Sequence, residues 1–478
     1  MKTDSSSVKK RQRPKVEEID YDAFRDHIGT VNQEGKRTWL YPRKPKGRYH
    51  RARVVVAIIL LGMLFAGPLL KWNDQPLFLF NILERKFILF GLTFWPQDFY
   101  LFVLVMITGI IGIVLFTVAF GRLWCGWACP QTIFMEMVFR KIEYWIEGDR
   151  NQQLRLNRSK WNAEKIRKKL TKWGIFYLIS LLIAHTLIAY IIGIDELSKI
   201  VTHSPLQHWG KFVSVIVFSW VFFFVFAWFR EQACIVVCPY GRLQAAMLDK
   251  DSIVVVYDWL RGEPRERIRK GSVREGGDCV SCSLCVQVCP TGIDIRNGTQ
   301  LECVNCTACM DACDSIMEKV GFQQGLIRYD SYNNIAHKKG FRFTPKIKAY
   351  IAVLFILLST AGFFLTNRTE VEATILHTPG TIFQKTDEGK ITNLYNVKVI
   401  NKSLNNYPLT FKLASHPGKI QLIGKPLTLG QQSIAKGAFF VEIPVDMLES
   451  HKTSIKIEIW AEGQLLDEVK TSFLGPFK

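Results

Sequence analysis

Apolar residues are concentrated in five long runs along the chain, and polar segments separate these runs. The runs cover 54–70, 99–120, 174–194, 212–229 and 347–366. A helix that crosses a bilayer needs about 20 mostly apolar residues, whereas runs of roughly 10–14 are more typical of buried helices. The pattern therefore predicts five transmembrane helices. A sixth apolar stretch, 76–95, is interrupted by Glu84, Arg85 and Lys86, and we expect it to lie at the interface or against the bundle.

Beyond the fifth run, the apolar residues occur in short alternating stretches. These stretches cover 394–400, 409–413, 420–423, 438–443 and 454–460, with turn-rich segments between them. Short alternating strands over about 110 residues are typical of an antiparallel sandwich. We therefore predict an immunoglobulin-like domain at 367–478, with docking or scaffolding as its expected role.

Composition and charge distribution place the apolar runs in a membrane and orient them. Hydrophobic residues make up 48% of the chain and its formal net charge is +20, which together favour a membrane protein over a nucleic-acid-binding protein. Lys and Arg are dense in 1–53 and 140–172, and sparse in the segments after the first and third runs. Because basic loops stay in the cytoplasm, we expect a multi-pass protein of the bacterial inner membrane. The cytoplasmic parts would be 1–50, 121–173 and 230–346, and the periplasmic part 367–478.

Eight of the twelve cysteines form two runs with the spacing C-x2-C-x2-C-x3-C. The runs are Cys279, Cys282, Cys285, Cys289 and Cys303, Cys306, Cys309, Cys313. In bacterial ferredoxins, three cysteines of such a run hold one [4Fe–4S] cluster and the fourth ligates the other cluster. The spacing therefore predicts a first cluster on Cys279, Cys282, Cys285 and Cys313, and a second on Cys303, Cys306, Cys309 and Cys289. Zinc fits this pattern poorly, because zinc sites usually use two separated pairs of ligands.

All twelve cysteines lie in segments predicted to be cytoplasmic, or at the membrane edge of these segments. The cytosol keeps thiols reduced, and cluster assembly requires thiolates. The cysteine distribution therefore agrees with the orientation deduced from charge and disfavours disulfides. Paired clusters transfer single electrons, so the chain predicts redox chemistry.

The remaining four cysteines form two C-x3-C-P motifs, each following an apolar run. One motif is Cys125 to Cys129 with Pro130, and the other is Cys234 to Cys238 with Pro239; each lies near a Gly-Arg pair. This similarity suggests a duplicated two-span unit. Residues i and i+4 share a helix face, so the thiols can form a two- or four-sulfur site that selects Cu(I), zinc or an iron–sulfur centre. Met135 and Met137 add soft sulfur nearby, while simple apolar packing and dithiol exchange are the alternatives.

Several other residues are secondary candidates. His185 lies within the third run, and His203 and His208 follow it. A spanning histidine can contact a quinone or pair within the bundle, and no second spanning histidine completes a haem site, so we favour a structural or quinone-adjacent role for His185. Asp314 stands where the first run has Pro290, which is expected to alter the turn there. We expect the basic segment 150–172 to contact anionic lipid, with an acidic electron donor as the alternative.

Together these features predict a multi-domain membrane protein. A five-helix transmembrane bundle would carry a dicluster ferredoxin-like insert of α+β type and a C-terminal immunoglobulin-like β-sandwich. The expected domains are a cytoplasmic polar arm (1–50), spans one to four with both C-x3-C-P motifs (51–250), the ferredoxin-like domain (251–346), span five (347–366) and the outer domain (367–478).

Three segments in combination resemble the CcoG family, also called FixG or RdxA, whose members are accessory proteins of cbb3-type cytochrome c oxidase. The segments are CGWACPQT at 125–132, ACIVVCPYGR at 233–242 and CPTGIDIR at 289–296. The resemblance covers nearly the whole chain apart from the N-terminal arm. The NapH and NosR polyferredoxins share much of this pattern but lack the outer domain.

The resemblance implies that the protein supplies copper to the oxidase and reduces Cu(II) to Cu(I). It would then be a cupric reductase with two [4Fe–4S] clusters as cofactors, and copper would bind at Cys125, Cys129, Cys234 and Cys238, with Met135 and Met137 as auxiliary ligands. The implied partners are the lipid bilayer, a cytoplasmic electron donor, a copper chaperone or exporter and oxidase assembly factors, with no role for nucleic acid. The alternatives are a quinol-oxidising relay of the NapH type and a non-catalytic copper chaperone or redox sensor. The sequence leaves the electron donor and the formation of a homodimer open.

Overall fold

The computed structural model describes residues 29–476 except 32–33, 35, 73–74, 83–84, 208, 269–275, 339, 341–342, 387–388, 404 and 449. Most of the polar arm predicted for 1–50 therefore lies outside the described residues. The chain divides into two compact units. The first comprises the chain up to Asn81 together with Val103–Leu358, and the second comprises Ile82–Phe102 together with Ser359–Lys478.

Fifteen α-helices are present in the described ranges. In chain order they are α1 Arg48–Ala66, α2 Phe99–Phe120, α3 Leu123–Trp127, α4 Pro130–Ile133, α5 Arg140–Ile146, α6 Arg150–Arg158, α7 Ala163–Ile192, α8 Ile194–Thr202, α9 Trp209–Phe224, α10 Pro239–Met247, α11 Trp259–Gly262, α12 Leu284–Gln287, α13 Ala308–Lys319, α14 Tyr332–His337 and α15 Pro345–Thr366. Short 3-10 turns cover Gly67–Leu69, Pro96–Asp98, Ile295–Asn297 and Val445–Met447.

Five helical segments are long and apolar enough to cross a membrane. They are Arg48–Leu69, Pro96–Phe120, Ala163–Ile192, Trp209–Phe229 and Pro345–Thr366. Each coincides with one of the predicted runs, so the prediction of five spanning helices is confirmed. The stretch at 76–95 contains short strands rather than a helix, at Phe78–Asn81, Lys86–Leu89 and Leu92–Phe94, with a further short pair at Lys71–Trp72 and Gln75–Pro76.

Aromatic packing joins the segment that follows the second span to the third and fourth spans. Phe139 stacks on Phe226 with ring centroids 4.4 Å apart and meets Phe176 edge-on at 4.8 Å. Three π-helical turns occur in this region, at Phe134–Phe139, Val225–Phe229 and Ala233–Val237. Such turns are rare and occur frequently at functional sites. Here one turn lies just beyond the first C-x3-C-P motif, and another contains Cys234.

The two ferredoxin runs fold in the same way. In the first run Ser281 and Ser283 have φ values of 53° and 55°, and at the equivalent positions of the second run Asn305 and Thr307 have values of 53° and 64°. Left-handed conformations are uncommon for residues other than glycine, so their repetition at matched positions marks one loop shape used twice. Each loop leads into a helix, α12 or α13, and the antiparallel strands Val254–Tyr257 and Ile327–Asp330 complete the domain.

The second unit contains an antiparallel β-sandwich. One sheet has the order Lys419–Ile423, Ile434–Pro444, Lys390–Asn401 and Val371–His377, with Gln384–Lys385 beside Lys390–Asn401. The other sheet has the order Thr410–Leu413, Lys452–Ala461 and Gln464–Leu474, and Tyr407–Pro408 pairs with Thr428–Leu429. Tyr395, Phe439 and Phe473 are fully buried between the sheets, and the Tyr395 hydroxyl donates to the Ser472 carbonyl at 2.8 Å. The predicted sandwich is confirmed.

A buried carboxylate anchors the membrane helices of the second unit to the sandwich. Asp98, at the start of the second span, pairs with Arg368 at 2.6 Å and with Lys402 at 2.7 Å. Arg368 follows the fifth span directly, and Lys402 follows the strand Lys390–Asn401. One carboxylate thus joins the ends of two spanning helices to the β-domain.

Candidate functional site

The cysteines predicted for the first cluster surround one cavity in the ferredoxin-like domain. Cys279, Cys282, Cys285 and Cys313 line this cavity together with Arg296 and apolar side chains. Cys279 and Cys285 are buried, whereas Cys282 is exposed. The structure thus brings together the four thiols that the spacing assigned to one cluster.

The cysteines predicted for the second cluster surround a separate cavity. Cys289, Cys303, Cys306 and Cys309 line it, and Cys285 contributes to its wall as well. In both cavities the sulfur atoms are distributed around an apolar space. Within the described residues, no three His, Cys, Asp or Glu side chains converge as ligands of a single metal ion. Thiols arranged around a space fit a multi-iron cluster better than a single zinc ion, whose Zn–S bonds are only about 2.3 Å long.

Burial of these thiols makes ionisation dependent on a bound cation. Burial raises the pKa of Cys303 to about 12 and the pKa of Cys306 to about 11. Both thiols therefore carry a proton at neutral pH until they meet a metal, and binding releases that proton. The residues present fit two [4Fe–4S] clusters, and the individual ligand assignments stay predictions.

The four C-x3-C-P thiols come together at the ends of the second and fourth spans. Cys125 lies on α3, Cys129 precedes α4, and Cys234 and Cys238 occupy the π-helical turn before α10 and the residue that follows it. Burial, followed by the nearby thiols of Cys129 and Cys125, raises the pKa of Cys234 to about 12. Cys125 also interacts electrostatically with Cys238. The two copies of the motif therefore lie close together as one thiol group. Among the described residues no three of these thiols converge on a single metal-ion position, and the four-sulfur site stays a prediction.

This thiol group packs against the second-cluster cavity. Cys125 belongs to a buried apolar cluster that includes Val304 and Cys306, and Cys309 packs against that cluster. Gly126 lies so close to the cluster loop that a Cβ atom on it would approach the Val304 carbonyl oxygen to 2.4 Å. Glycine is therefore required here by the close contact between two backbones.

Arg122 connects the two groups of cysteines, and sequence reasoning missed its role. The side chain is 4% exposed, and its guanidinium donates to the Leu301 carbonyl of the cluster loop. Burial raises the pKa of Cys125, and the Arg122 charge opposes that rise. The same charge acts on Cys234 and Cys303. The Gly-Arg pair beside each motif was the available signal, but it indicated only a repeat.

The start of the first span is fastened to the cluster-binding helix α13. The Asp311 carboxylate accepts hydrogen bonds from the backbone N–H groups of Tyr49 at 3.1 Å and His50 at 2.7 Å, the first turn of α1. Arg53, one turn further on, is buried and donates to the Gly126 carbonyl at 3.0 Å. Asp311 lies between Cys309 and Cys313, so these hydrogen bonds fix the position of α1 relative to the cysteines of α13.

The two methionines proposed as auxiliary ligands occupy different surroundings. Met135 lines a cavity with Cys234, Glu136 and Glu231, close to Val304 of the cluster loop. Met137 instead packs with Ala57 and Ile133 in an apolar cluster. The structure therefore places only Met135 beside the thiol group.

The remaining sequence candidates have local roles in the structure. His185 Nδ1 bonds the Leu181 carbonyl at 2.8 Å, and His203 Nδ1 bonds the Lys199 carbonyl at 2.6 Å, in both cases one turn back along the chain. His208 lies outside the described residues. The Asp314 carboxylate accepts from the Gly325 N–H at 2.8 Å.

A buried ionic network beside the thiol group carried no sequence signal. The Arg230 guanidinium holds the Glu143 carboxylate at 3.0 and 2.6 Å, and the Lys172 ammonium lies 3.4 Å from the same carboxylate. Burial alone would raise the pKa of Glu143, but these cations lower it to about 2. Arg230 lies between two π-helical turns and has a φ of 55°, which is uncommon for a residue other than glycine.

Three family models match parts of the chain. A family model described as a 4Fe-4S dicluster domain matches 229–332, one described as a 4Fe-4S binding domain matches 102–151, and one described as an Ig-like fold at the C-terminus of FixG matches 361–476. A crystal structure of a FixG-related protein from Vibrio parahaemolyticus is 19% identical and covers 22% of this chain and 97% of that chain, with a TM-score of 0.19.

Three curated relatives match along most of their length. The chain is 33% identical to RdxB of Cereibacter sphaeroides over 84% of this chain and 90% of RdxB. It is 36% identical to RdxA of the same organism over 77% of this chain and 80% of RdxA. It is 32% identical to the nitrogen fixation protein FixG of Rhizobium meliloti over 86% of this chain and 87% of FixG.

Proposed function

This chain belongs to the FixG/RdxA family, and we propose that within it the protein reduces Cu(II) to Cu(I) at Cys125, Cys129, Cys234 and Cys238. It is a multi-pass membrane protein with iron–sulfur domains for electron transfer. The copper step, the ligands and the partners are our proposal.

One observation carries the proposal. The thiol of Cys125 lies in the same apolar cluster as Cys306, and Cys309 packs against it. A substrate held by the membrane-edge thiols would therefore lie beside the second-cluster cavity. Bound [4Fe–4S] clusters supply one electron at a time, and Cu(II) accepts one electron to become Cu(I).

The side chains of the thiol group favour the reduced product. Thiolates and thioethers are soft ligands that select Cu(I), and Cys125, Cys129, Cys234, Cys238 and Met135 supply both kinds. The Arg122 charge offsets the negative charge of the thiolates. A cytoplasmic donor would provide the electron, and a copper chaperone or exporter would receive Cu(I) for oxidase assembly.

The test replaces all four membrane-edge cysteines by serine. The purified full chain, reduced without oxygen, should turn over Cu(II) in step with cluster reoxidation. We expect the four-serine variant to keep its cluster absorbance and to lose copper reduction. Met135→Leu should weaken Cu(I) retention, whereas the matched Met137→Leu should not. Normal copper reduction by the four-serine variant would contradict the site assignment.

A third iron–sulfur centre is the second candidate for the thiol group. The family model that matches 102–151 is described as binding 4Fe-4S, yet this segment contains only Cys125 and Cys129. The four thiols would then complete one centre, and the protein would pass electrons without binding copper. Iron in excess of two four-iron clusters, lost in the four-serine variant, would favour this candidate over copper.

A further inference from the structure

A helical hairpin connects the second and third spans. It comprises residues 145–173: the end of α5, α6, and the first turns of α7. We propose that this α6–α7 hairpin binds the phosphate headgroup of an anionic phospholipid in the bilayer that the chain spans. The proposal is independent of what the cysteines bind.

The length of α7 places the hairpin at headgroup level. The helix has 30 residues, which at about 1.5 Å per residue makes it roughly 45 Å long. The hydrocarbon core is only about 30 Å thick. If Ile192 lies at one edge of the core, Trp173 lies near the other, and the first ten residues of α7 project into the headgroup layer.

Exposed apolar side chains continue from the spanning part of α7 into the hairpin. Ile166, Leu170 and Trp173 are 45%, 61% and 45% exposed, and their spacing puts them on one helix face. Trp145 and Trp161 are still more exposed, at 79% and 68%. Tryptophan is enriched at the membrane–water interface, where its ring is apolar and its N–H remains hydrated. A surface of this kind fits a bilayer better than an acidic protein in water.

The cations of the hairpin divide into an internal set and an outward set. Lys169 and Lys172 pair with Glu147 at 2.9 and 2.8 Å, and Lys168 pairs with Glu164 at 2.7 Å. Lys165 donates to the carbonyls of Asn157 and Ser159, and so fastens the connecting loop to α7. The outward set is Arg155, Arg158, Lys160 and Arg167, which are exposed. Arg167 interacts electrostatically with the Glu164 carboxylate, but that carboxylate is hydrogen-bonded to Lys168.

A cavity of about 470 Å³ lies within the hairpin, and Arg155 of the outward set lines it. Arg155 lines it with two amide side chains, Gln152 and Asn162, and these groups can bind a phosphate. Lys168 lines it as well, but its charge is paired with Glu164. Glu147 and Glu164 also line it, but their lysine partners neutralise both carboxylates. The cavity therefore suits the phosphate of a phospholipid whose acyl chains lie along the exposed apolar face of α7.

Native mass spectrometry of the full chain in mild detergent tests the proposal, with phosphatidylglycerol and phosphatidylcholine as probes. The wild type should retain phosphatidylglycerol preferentially. In R155Q/R158Q/R167Q we expect that preference to fall at least about tenfold, because each cation near an anionic surface contributes roughly a factor of five to binding. The matched control R267Q/K319Q/K338Q removes the same charge from exposed positions of the ferredoxin-like domain and should bind like the wild type.

Cluster absorbance and the melting temperature are measured as controls for folding. Unchanged cluster absorbance and an unchanged melting temperature would show that both triple variants are folded. Equal retention of the two lipids by the wild type, or an unaltered preference in R155Q/R158Q/R167Q, would overturn the proposal. Loss of binding to an acidic ferredoxin in this variant, with its lipid preference intact, would assign the surface to a protein partner instead.

Discussion

At the scale of single residues, the two copies of the membrane-edge motif are not equivalent. Each copy has a Gly-Arg pair, Gly121-Arg122 in the first and Gly241-Arg242 in the second. Arg122 is buried beside the thiols and the cluster loop, whereas Arg242 is exposed. Gly241 itself lies against Arg122, since a Cβ there would be 2.9 Å from a guanidinium nitrogen. Of the two repeated arginines, Arg122 therefore lies beside the thiol group, whereas Arg242 lies on the surface.

We predict that Arg122→Gln slows the proposed copper reduction by about tenfold to a hundredfold. The Arg122 charge would stabilise the thiolates that hold copper, and a hydrogen bond made by a charged group contributes roughly 1.5–3 kcal/mol. Arg122→Lys should restore part of the rate, since it keeps the charge and loses the planar fork. Stopped-flow reoxidation of the reduced clusters by Cu(II), at matched cluster content, measures the effect. Arg242→Gln is the control and should react like the wild type. Equal rates in the two glutamine variants would show that Arg122 has no special role.

The sequence predicts the identity of the cysteines better than their surroundings. Spacing sorts the eight ferredoxin cysteines into two groups of four, and in the structure each group lines one cavity, with Cys285 lining both. It cannot foresee that Gly126 touches the Val304 carbonyl or that Asp311 caps α1, because these contacts join positions far apart in the chain. Long-range contacts have no periodic pattern, and only folding brings such residues together.

At the scale of secondary-structure elements, predictability follows the strength of the hydrophobic pattern. The spanning helices are evident because their apolar runs match the bilayer thickness. The strand Gln464–Leu474 was missed, because it lies at a sheet edge and many of its residues are partly or fully exposed. The π-helical turns at Phe134–Phe139 and Ala233–Val237 were also missed. Their apolar residues fit an ordinary helix equally well, and only the neighbouring structure determines the extra residue per turn.

The contact of α5 with the loop after the fourth span depends on the ion pair between Glu143 and Arg230. We predict that Glu143→Gln lowers stability by about 3–5 kcal/mol, because it leaves a buried arginine without its counter-charge. Thermal unfolding followed by circular dichroism would measure the loss. Glu164→Gln removes an exposed carboxylate from the same region and should have no measurable effect. A similar melting temperature for both variants would argue against the importance of the network.

The pH dependence of this difference follows from the direction of the pKa shift. The pKa of Glu143 falls from its ordinary value of 4.5 to about 2 in the folded protein. A carboxylate whose pKa is lower in the folded state stabilises the fold at any pH above its unfolded-state pKa. This stabilisation is lost as the pH falls through the folded-state pKa. The stability difference between wild type and Glu143→Gln should therefore be constant from pH 7 to pH 5 and shrink only in stronger acid.

At the scale of the whole molecule, we predict from the odd number of candidate spans that the two ends of the chain lie on opposite sides of the membrane. The dense Lys and Arg residues flank the first span on its N-terminal side and fill the segment between the second and third spans. All twelve cysteines follow the second or fourth span. From charge and cysteine placement we predict one orientation, with the iron–sulfur domain in the cytoplasm and the β-sandwich in the periplasm.

Reporter fusions test this orientation directly. Alkaline phosphatase requires disulfides and is active only outside the cytoplasm, whereas green fluorescent protein fluoresces in the cytoplasm. Fused after the C-terminal residue, the phosphatase should be active and the fluorescent protein dark, because the basic segments hold the other side of the bundle in the cytoplasm. Fused after Ser159, in the α6–α7 hairpin, the two reporters should show the reverse pattern. Fluorescence from the C-terminal fusion would mean that the chain has an even number of crossings or the opposite orientation. An active phosphatase after Ser159 would distinguish these outcomes in favour of the opposite orientation. The cysteines would then face an oxidising compartment, which disfavours cluster assembly.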